Sequence, residues 1–253
     1  MTEDDIDASR APLLDHLIEL RRRLFYCFGT VFVALVGTYY FSRDIFAVLV
    51  HPLLAAGQKK IVTIGVFDGF FVQLKIALFA ALMISFPVIA NQLWQFVAPG
   101  LYRKEKRALL PFLLATPVLF VSGASMAYFV AVPAALHFLL SFQGNLGGVE
   151  QQALTSVASY LDFIMQFLFG FGIAFLMPVL LMLLERAGIV TLQQLVRAQR
   201  YAVLGCFAVA LFLAPPDAGS MIMLALPLVG LYELTLVAIW LTHRRRAHAE
   251  AAA

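Results

Sequence analysis

Charge is scarce in this chain. Only 13% of its 253 residues are Asp, Glu, Lys or Arg, about half of what a soluble globular domain carries. Cysteine is nearly absent: Cys27 and Cys206 both fall inside apolar runs, which excludes a disulfide framework and leaves two small core residues. HExxH, CxxC and a glycine-rich phosphate loop are missing, and His51 and His137 have no partner at ligand spacing. Neither a metal nor a nucleotide cofactor is expected. No segment repeats at convincing length, so an inverted-repeat transporter has no support. An intramembrane hydrolase would need a nucleophile and a base facing each other, and no Ser and His pair stands out.

What the chain has in abundance is apolar surface. Hydrophobic residues make up 62% of it and the mean hydropathy is +0.89, the signature of an integral membrane protein. Apolar runs lie near 24–42, 70–98, 109–140, 160–184, 199–214 and 220–242. At about 20 residues per crossing these make six transmembrane helices in one all-α domain over 1–253. Pro87, Pro117, Pro133, Pro178 and Pro227 fall within the runs, and the last two runs are short. Kinked helices and a cupped bundle are expected. The polar stretch 1–23 ahead of the first run argues against a cleavable signal.

Cations fix an expected orientation. Arg10, Arg21, Arg22 and Arg23 precede the first run, and Arg103, Lys104, Lys106 and Arg107 follow the second. Arg186, Arg197 and Arg200 follow the fourth, and Arg244, Arg245 and Arg246 sit in the tail 243–253. All four clusters fall on one side, against Arg43, Lys59, Lys60 and Lys75 on the other. Positive charge stays inside, so both termini are expected to be cytoplasmic. The net charge of +3 comes from these clusters and not from a nucleic-acid-binding face.

Acids stand out against this background. In FVAPGLYRKEKRALL, residues 96–110, Glu105 sits among four cations, where it serves neither insertion nor topology. In APLLDHLIELRRRLF, an expected amphipathic helix leading into the first run, Glu19 precedes Arg22 and Arg23 by three and four residues. A local ion pair explains Glu19 by spacing alone, and a solvated loop charge explains Glu105. Glu233 lies deeper, within the sixth run, and Gln92 and Gln95 lie in the second. Asp162 and Lys75 sit near span ends, and the FGFG at 169–172 reads as close helix packing.

Four segments, taken in order, resemble the twin-arginine translocase TatC family. They are HLIELRRRL at 16–24, LWQFVAPGLYRKEKR at 93–107, ASYLDF at 158–163, and APPD at 214–217 with LALP at 224–227. The resemblance spans about residues 10–242 and implies the core receptor subunit of a protein export system in the bacterial inner membrane, without enzymatic activity. It implies that Glu19 and Glu105 receive the paired arginines of folded precursors' signal peptides, with Arg21, Leu24 and Phe96 at or near the site. A guanidinium offers a planar fork to a carboxylate that lysine cannot match, which makes such a choice of residues chemically sensible.

The same resemblance implies further positions and partners. Single-span TatA- and TatB-type subunits would complete a multimeric complex driven by the proton motive force. Leu176, Ala214 and Met221 stand where the family commonly carries Glu, Thr and Gln, so the expected partner-docking patch is apolar here. Asp217 matches a family aspartate, although an aspartate after two prolines also suits a tight turn. Pro52 is a further candidate.

Overall fold

The computed structural model describes residues 3–58, 60–101, 106–142, 144–146, 149–151, 155–213 and 218–251. Helix α1 (Glu3–Tyr40) carries the amphipathic start and the first apolar run as one piece. It is followed by α2 (Ser42–Ala55), α3 (Asp68–Leu101), α4 (Lys106–Met126), a π-helical segment (Ala127–Ala131) and α5 (Val132–Leu140). A short antiparallel hairpin pairs β1 (Gly144–Leu146) with β2 (Val149–Gln151), Asn145 opposite Glu150. Helices α6 (Val157–Ala174), α7 (Met177–Arg186), α8 (Leu192–Leu213) and α9 (Ala218–Ala251) complete the chain.

Six stretches among the described residues are long and apolar enough to cross a membrane. They are Leu17–Tyr40, Asp68–Phe96, Phe112–Leu140, Val157–Arg186, Leu192–Phe212 and Leu224–Arg244, one for each apolar run of the sequence. Two of the six are not single α-helices, and proline accounts for the breaks. Pro178 has no N–H to offer the carbonyl of Ala174, where α6 ends. Pro133 likewise has no N–H for the Phe129 carbonyl, which lies in the π-helical segment that precedes α5. The fifth and sixth helices are longer than their apolar runs: α8 has 22 residues and α9 has 34, because polar turns extend both.

Two compact units are distinguished, Met1–Ile45 with Gln73–Pro117 and Phe46–Val72 with Val118–Ala253. Lipid rewards apolar burial no more than a helix neighbour does, so packing within each unit rests on small residues and buried hydrogen bonds. In the first unit Ala77 and Ala81 of α3 are fully buried, and Thr38 of α1 donates its hydroxyl to the Ala77 carbonyl at 2.7 Å. In the second, Gly172 of α6 admits the Phe120 ring, which an added Cβ would meet at 2.6 Å. The Tyr160 hydroxyl donates to the Leu49 carbonyl at 2.7 Å and fixes α2 against α6. Pro52 lies buried inside α2, in the turn after Leu49.

Helix α2 and the hairpin are features that sequence reading did not anticipate. The loop that follows α2 is held by a parallel bridge, Val62 N–H to the Thr155 carbonyl and Val157 N–H to the Val62 carbonyl, both at 3.1 Å. Ser156 in that bridge also caps α6, its Oγ accepting from Ser159 N–H at 3.1 Å.

Candidate functional site

Helices α1 and α3 of the first unit together build a polar pocket of about 370 Å³. Its walls are Glu19, Arg22, Arg23 and Tyr26 from α1 and Gln92 and Gln95 from α3. The helical spacing explains the set: positions 19, 22, 23 and 26 share one face of α1, as 92 and 95 share one face of α3. The Arg23 guanidinium lies at its centre. Its Nε and Nη2 both donate to Glu19 Oε1, at 3.0 and 2.5 Å. Its Nη1 donates to Gln95 Oε1 at 3.0 Å and to Gln92 Oε1 at 3.4 Å. Gln95 is held in turn, its amide donating to Asn91 Oδ1 at 3.0 Å. Arg22 lies over the Tyr26 ring, 5.8 Å from its centroid.

Below this pocket, the same two helices form an apolar groove of about 690 Å³. Leu24, Phe28, Phe32 and Leu35 line it from α1, and Leu78 and Leu82 from α3. The charged pocket and the apolar groove thus follow one another along the same two helices.

The residues singled out from sequence distribute unevenly. Glu19 is half-buried in the pocket, Leu24 is exposed on the groove, and Arg21 is exposed on α1. Phe96 is half-buried near the end of α3, one residue after Gln95. Glu105, with Arg103 and Lys104, lies outside the described residues, as do Ala214 and Asp217. Leu176 is half-buried at the break between α6 and α7, and Met221 is half-buried near the start of α9. Elsewhere in the second unit, Gln166 of α6 donates its amide to the Phe212 carbonyl at 2.5 Å, which satisfies an end carbonyl of α8.

Arg23, Tyr26, Gln92 and Gln95 were not singled out as site residues from sequence. The Glu19 and Arg23 spacing was legible as an ion pair, but nothing in the sequence said that two glutamines about 70 residues away would complete it. Glu233, the deep acid of the last span, accepts from the Gln199 amide at 2.5 Å and so bridges α8 and α9. Nearby, the Tyr232 hydroxyl donates to the Leu195 carbonyl at 2.7 Å within a core of Leu195, Leu236 and Ile239. Glu185 at the end of α7 pairs with His243 of α9. Among the described residues no three His, Cys, Asp or Glu side chains cluster as a metal site.

Six apolar crossings among the described residues define a polytopic membrane protein, with a carboxylate pocket at one end of its first two spans. Residues 15–227 match the family described as "Sec-independent protein translocase protein (TatC)". The TatC of Magnetococcus marinus is 40% identical over 245 residues, covering 96% of this chain and 89% of that one. The TatC of Escherichia coli K12 is 38% identical over 226 residues, covering 88% and 86%. A crystal structure of the twin arginine translocase receptor TatC superposes with a TM-score of 0.78 at 34% identity, covering 88% of this chain and 98% of that one. The chain belongs to the TatC family. It is a multi-pass protein of the bacterial inner membrane and a subunit of a Sec-independent protein translocase, and it works in a complex with other components of that system.

Proposed function

We propose that this protein is the receptor subunit of the twin-arginine export system. On this reading Glu19 and Glu105, on the cytoplasmic face, receive the arginine pair of a folded precursor's signal peptide, with Arg21, Leu24 and Phe96 around them. One observation carries it: the Glu19 carboxylate already holds a guanidinium through two N–H donors. A site that accepts Arg23 in this way has the chemistry to accept an arginine of another chain.

Magnitudes assign the roles. Hydrogen bonds to charged groups contribute about 1.5–3 kcal/mol each, while micromolar binding needs roughly 8 kcal/mol. The apolar part of the signal peptide supplies the rest by burial at about 25 cal/mol per Å². The arginine pair then acts as a selectivity check on a hydrophobic anchor. The single six-helix domain also scaffolds TatA- and TatB-type subunits, one of them docking on the apolar patch of Leu176, Ala214 and Met221, for translocation driven by the proton motive force.

Photocrosslinking from Phe96 and from position 105 to a twin-arginine precursor in native membranes tests the reading. An adduct that disappears when the precursor's Arg-Arg becomes Lys-Lys is the expected result. An adduct indifferent to that change rejects it. Glu19→Ala and Glu105→Ala are expected to weaken binding non-additively, because both act on one motif.

A further inference from the structure

The guanidinium in the Glu19 pocket belongs to the protein itself. Were it only a surface ion pair between neighbouring turns, it would involve α1 alone. Instead Arg23 reaches across to α3, and its side chain is just 18% exposed. One edge of the guanidinium, Nε and Nη2, is on the carboxylate; the other nitrogen, Nη1, is on the neutral oxygens of Gln92 and Gln95. The two edges therefore have separate holders.

We infer that Arg23 is a resident competitor for the recognition carboxylate, a cation of the receptor itself that an incoming arginine must displace. The inference rests on the reading of Glu19 as a recognition residue. A substrate arginine takes Glu19 by displacing the Nε and Nη2 edge of Arg23, while Nη1 stays on the two glutamines. The exchange is like for like, two charged N–H donors leaving one oxygen and two arriving. A substrate lysine replaces a rigid two-donor edge with a point charge, and the exchange runs uphill.

Charge in the pocket reinforces this. Among its lining residues one carboxylate faces two guanidiniums, those of Arg22 and Arg23, so no net negative field draws a cation in. Taking the Glu19 oxygen that Arg23 holds therefore means exchange, which lowers the affinity of every incoming cation and leaves the preference for a forked donor to the carboxylate itself.

The test measures binding of fluorescent Arg-Arg and Lys-Lys signal peptides to the full chain in nanodiscs. With Arg23→Gln, both peptides are expected to bind more tightly by a similar factor, about fivefold or more, because a competitor for one site lowers every affinity alike. Arg23→Lys, a resident without the fork, is expected to tighten both by a smaller factor. Gln92→Leu with Gln95→Leu removes the second holder, weakening Arg-Arg binding when Arg23 is present and having no effect in the Arg23→Gln chain. A merely structural Arg23 would leave both peptides weaker or unchanged in the Arg23→Gln chain, which overturns the proposal. Additive glutamine effects overturn it too. Arg-Arg binding that is indifferent to Glu19→Gln removes the recognition reading itself, and the competitor with it.

Discussion

The indole N–H of Trp94 donates to the hydroxyl of Thr116 at 2.8 Å, joining α3 to α4. Thr116 is 3% exposed, and its hydroxyl in turn donates a hydrogen bond to the Phe112 carbonyl at 2.7 Å. Trp94 stands between Gln92 and Gln95, so this bond holds the part of α3 that carries the pocket's second wall. Thr116→Val leaves the Trp94 N–H without an acceptor in a nonaqueous setting. The expected loss is about 0.6–2 kcal/mol of stability, in the range of interhelical bonds in membranes. Trp94→Phe combined with Thr116→Val is expected to cost less than the two single changes summed, since neither partner is then left alone. Denaturant midpoints of the purified chain in mixed micelles check this, and strict additivity rejects it.

Two glycines of the second unit make a sharper contrast. A Cβ at Gly172 meets the Phe120 ring at 2.6 Å, whereas a Cβ at Gly123 meets the Phe171 backbone carbonyl at 2.5 Å and the Phe175 side chain at 2.8 Å. A ring shifts with its side chain; a helix carbonyl shifts only with its helix. Gly123→Ala is therefore expected to destabilise more than Gly172→Ala, by about 1–3 kcal/mol for the former as in overpacked cores. Thermal unfolding of both variants decides it, and the reverse order would show that α6 yields more easily than the ring.

How far the sequence foretold this structure depends on the kind of signal. The six crossings were legible because a bilayer demands long apolar runs. Proline was a looser guide: five were expected to kink the spans, and helix breaks fall at Pro133 and Pro178 while Pro87, Pro117 and Pro227 lie inside continuous helices. Helix α2 was not: its 14 residues include exposed Arg43 and His51 and buried Leu49 and Leu53, a mixture that fits a loop as well as a helix. The Glu19 side of the pocket was visible as an i, i+4 pair on α1. The Gln92 and Gln95 side was not, because contacts between helices leave no spacing to read.

Glu233 illustrates the difference between an intramembrane acid that acts and one that joins. As a sequence feature it was a functional suspect, since carboxylates in spans are costly. In the structure it accepts from Gln199 and ties α8 to α9. Glu233→Gln preserves an acceptor of the same shape and is expected to leave export near the native level. Glu233→Leu leaves the Gln199 amide unpaired and is expected to lower stability by about 1 kcal/mol. Export assays paired with unfolding midpoints separate the two. Loss of export in a stable Glu233→Gln chain would mean that the charge itself is needed.

On the proposed docking reading, Leu176 has the clearest consequence for assembly. It caps α7 at the break after α6, with its N–H on the Ile173 carbonyl at 2.9 Å and its own carbonyl accepting from Leu180 N–H at 3.0 Å. The backbone here is αR and the side chain half-buried, a position that admits a glutamate without backbone strain. Leu176→Glu is therefore expected to fold, and any loss of partner binding can be assigned to the docking surface. An apolar patch fits a partner span that packs without a polar residue at this depth, and a carboxylate without a partner there costs more than the contact returns. Association with the single-span subunits is expected to fall in Leu176→Glu. It is expected to recover when glutamine or glutamate is placed opposite on the partner span, through an interhelical bond of about 0.6–2 kcal/mol. Cysteine crosslinking between the subunits in native membranes measures both steps. Full association of the Leu176→Glu chain, or a cognate partner span that already carries an acid at this depth, would reject docking by apolar packing.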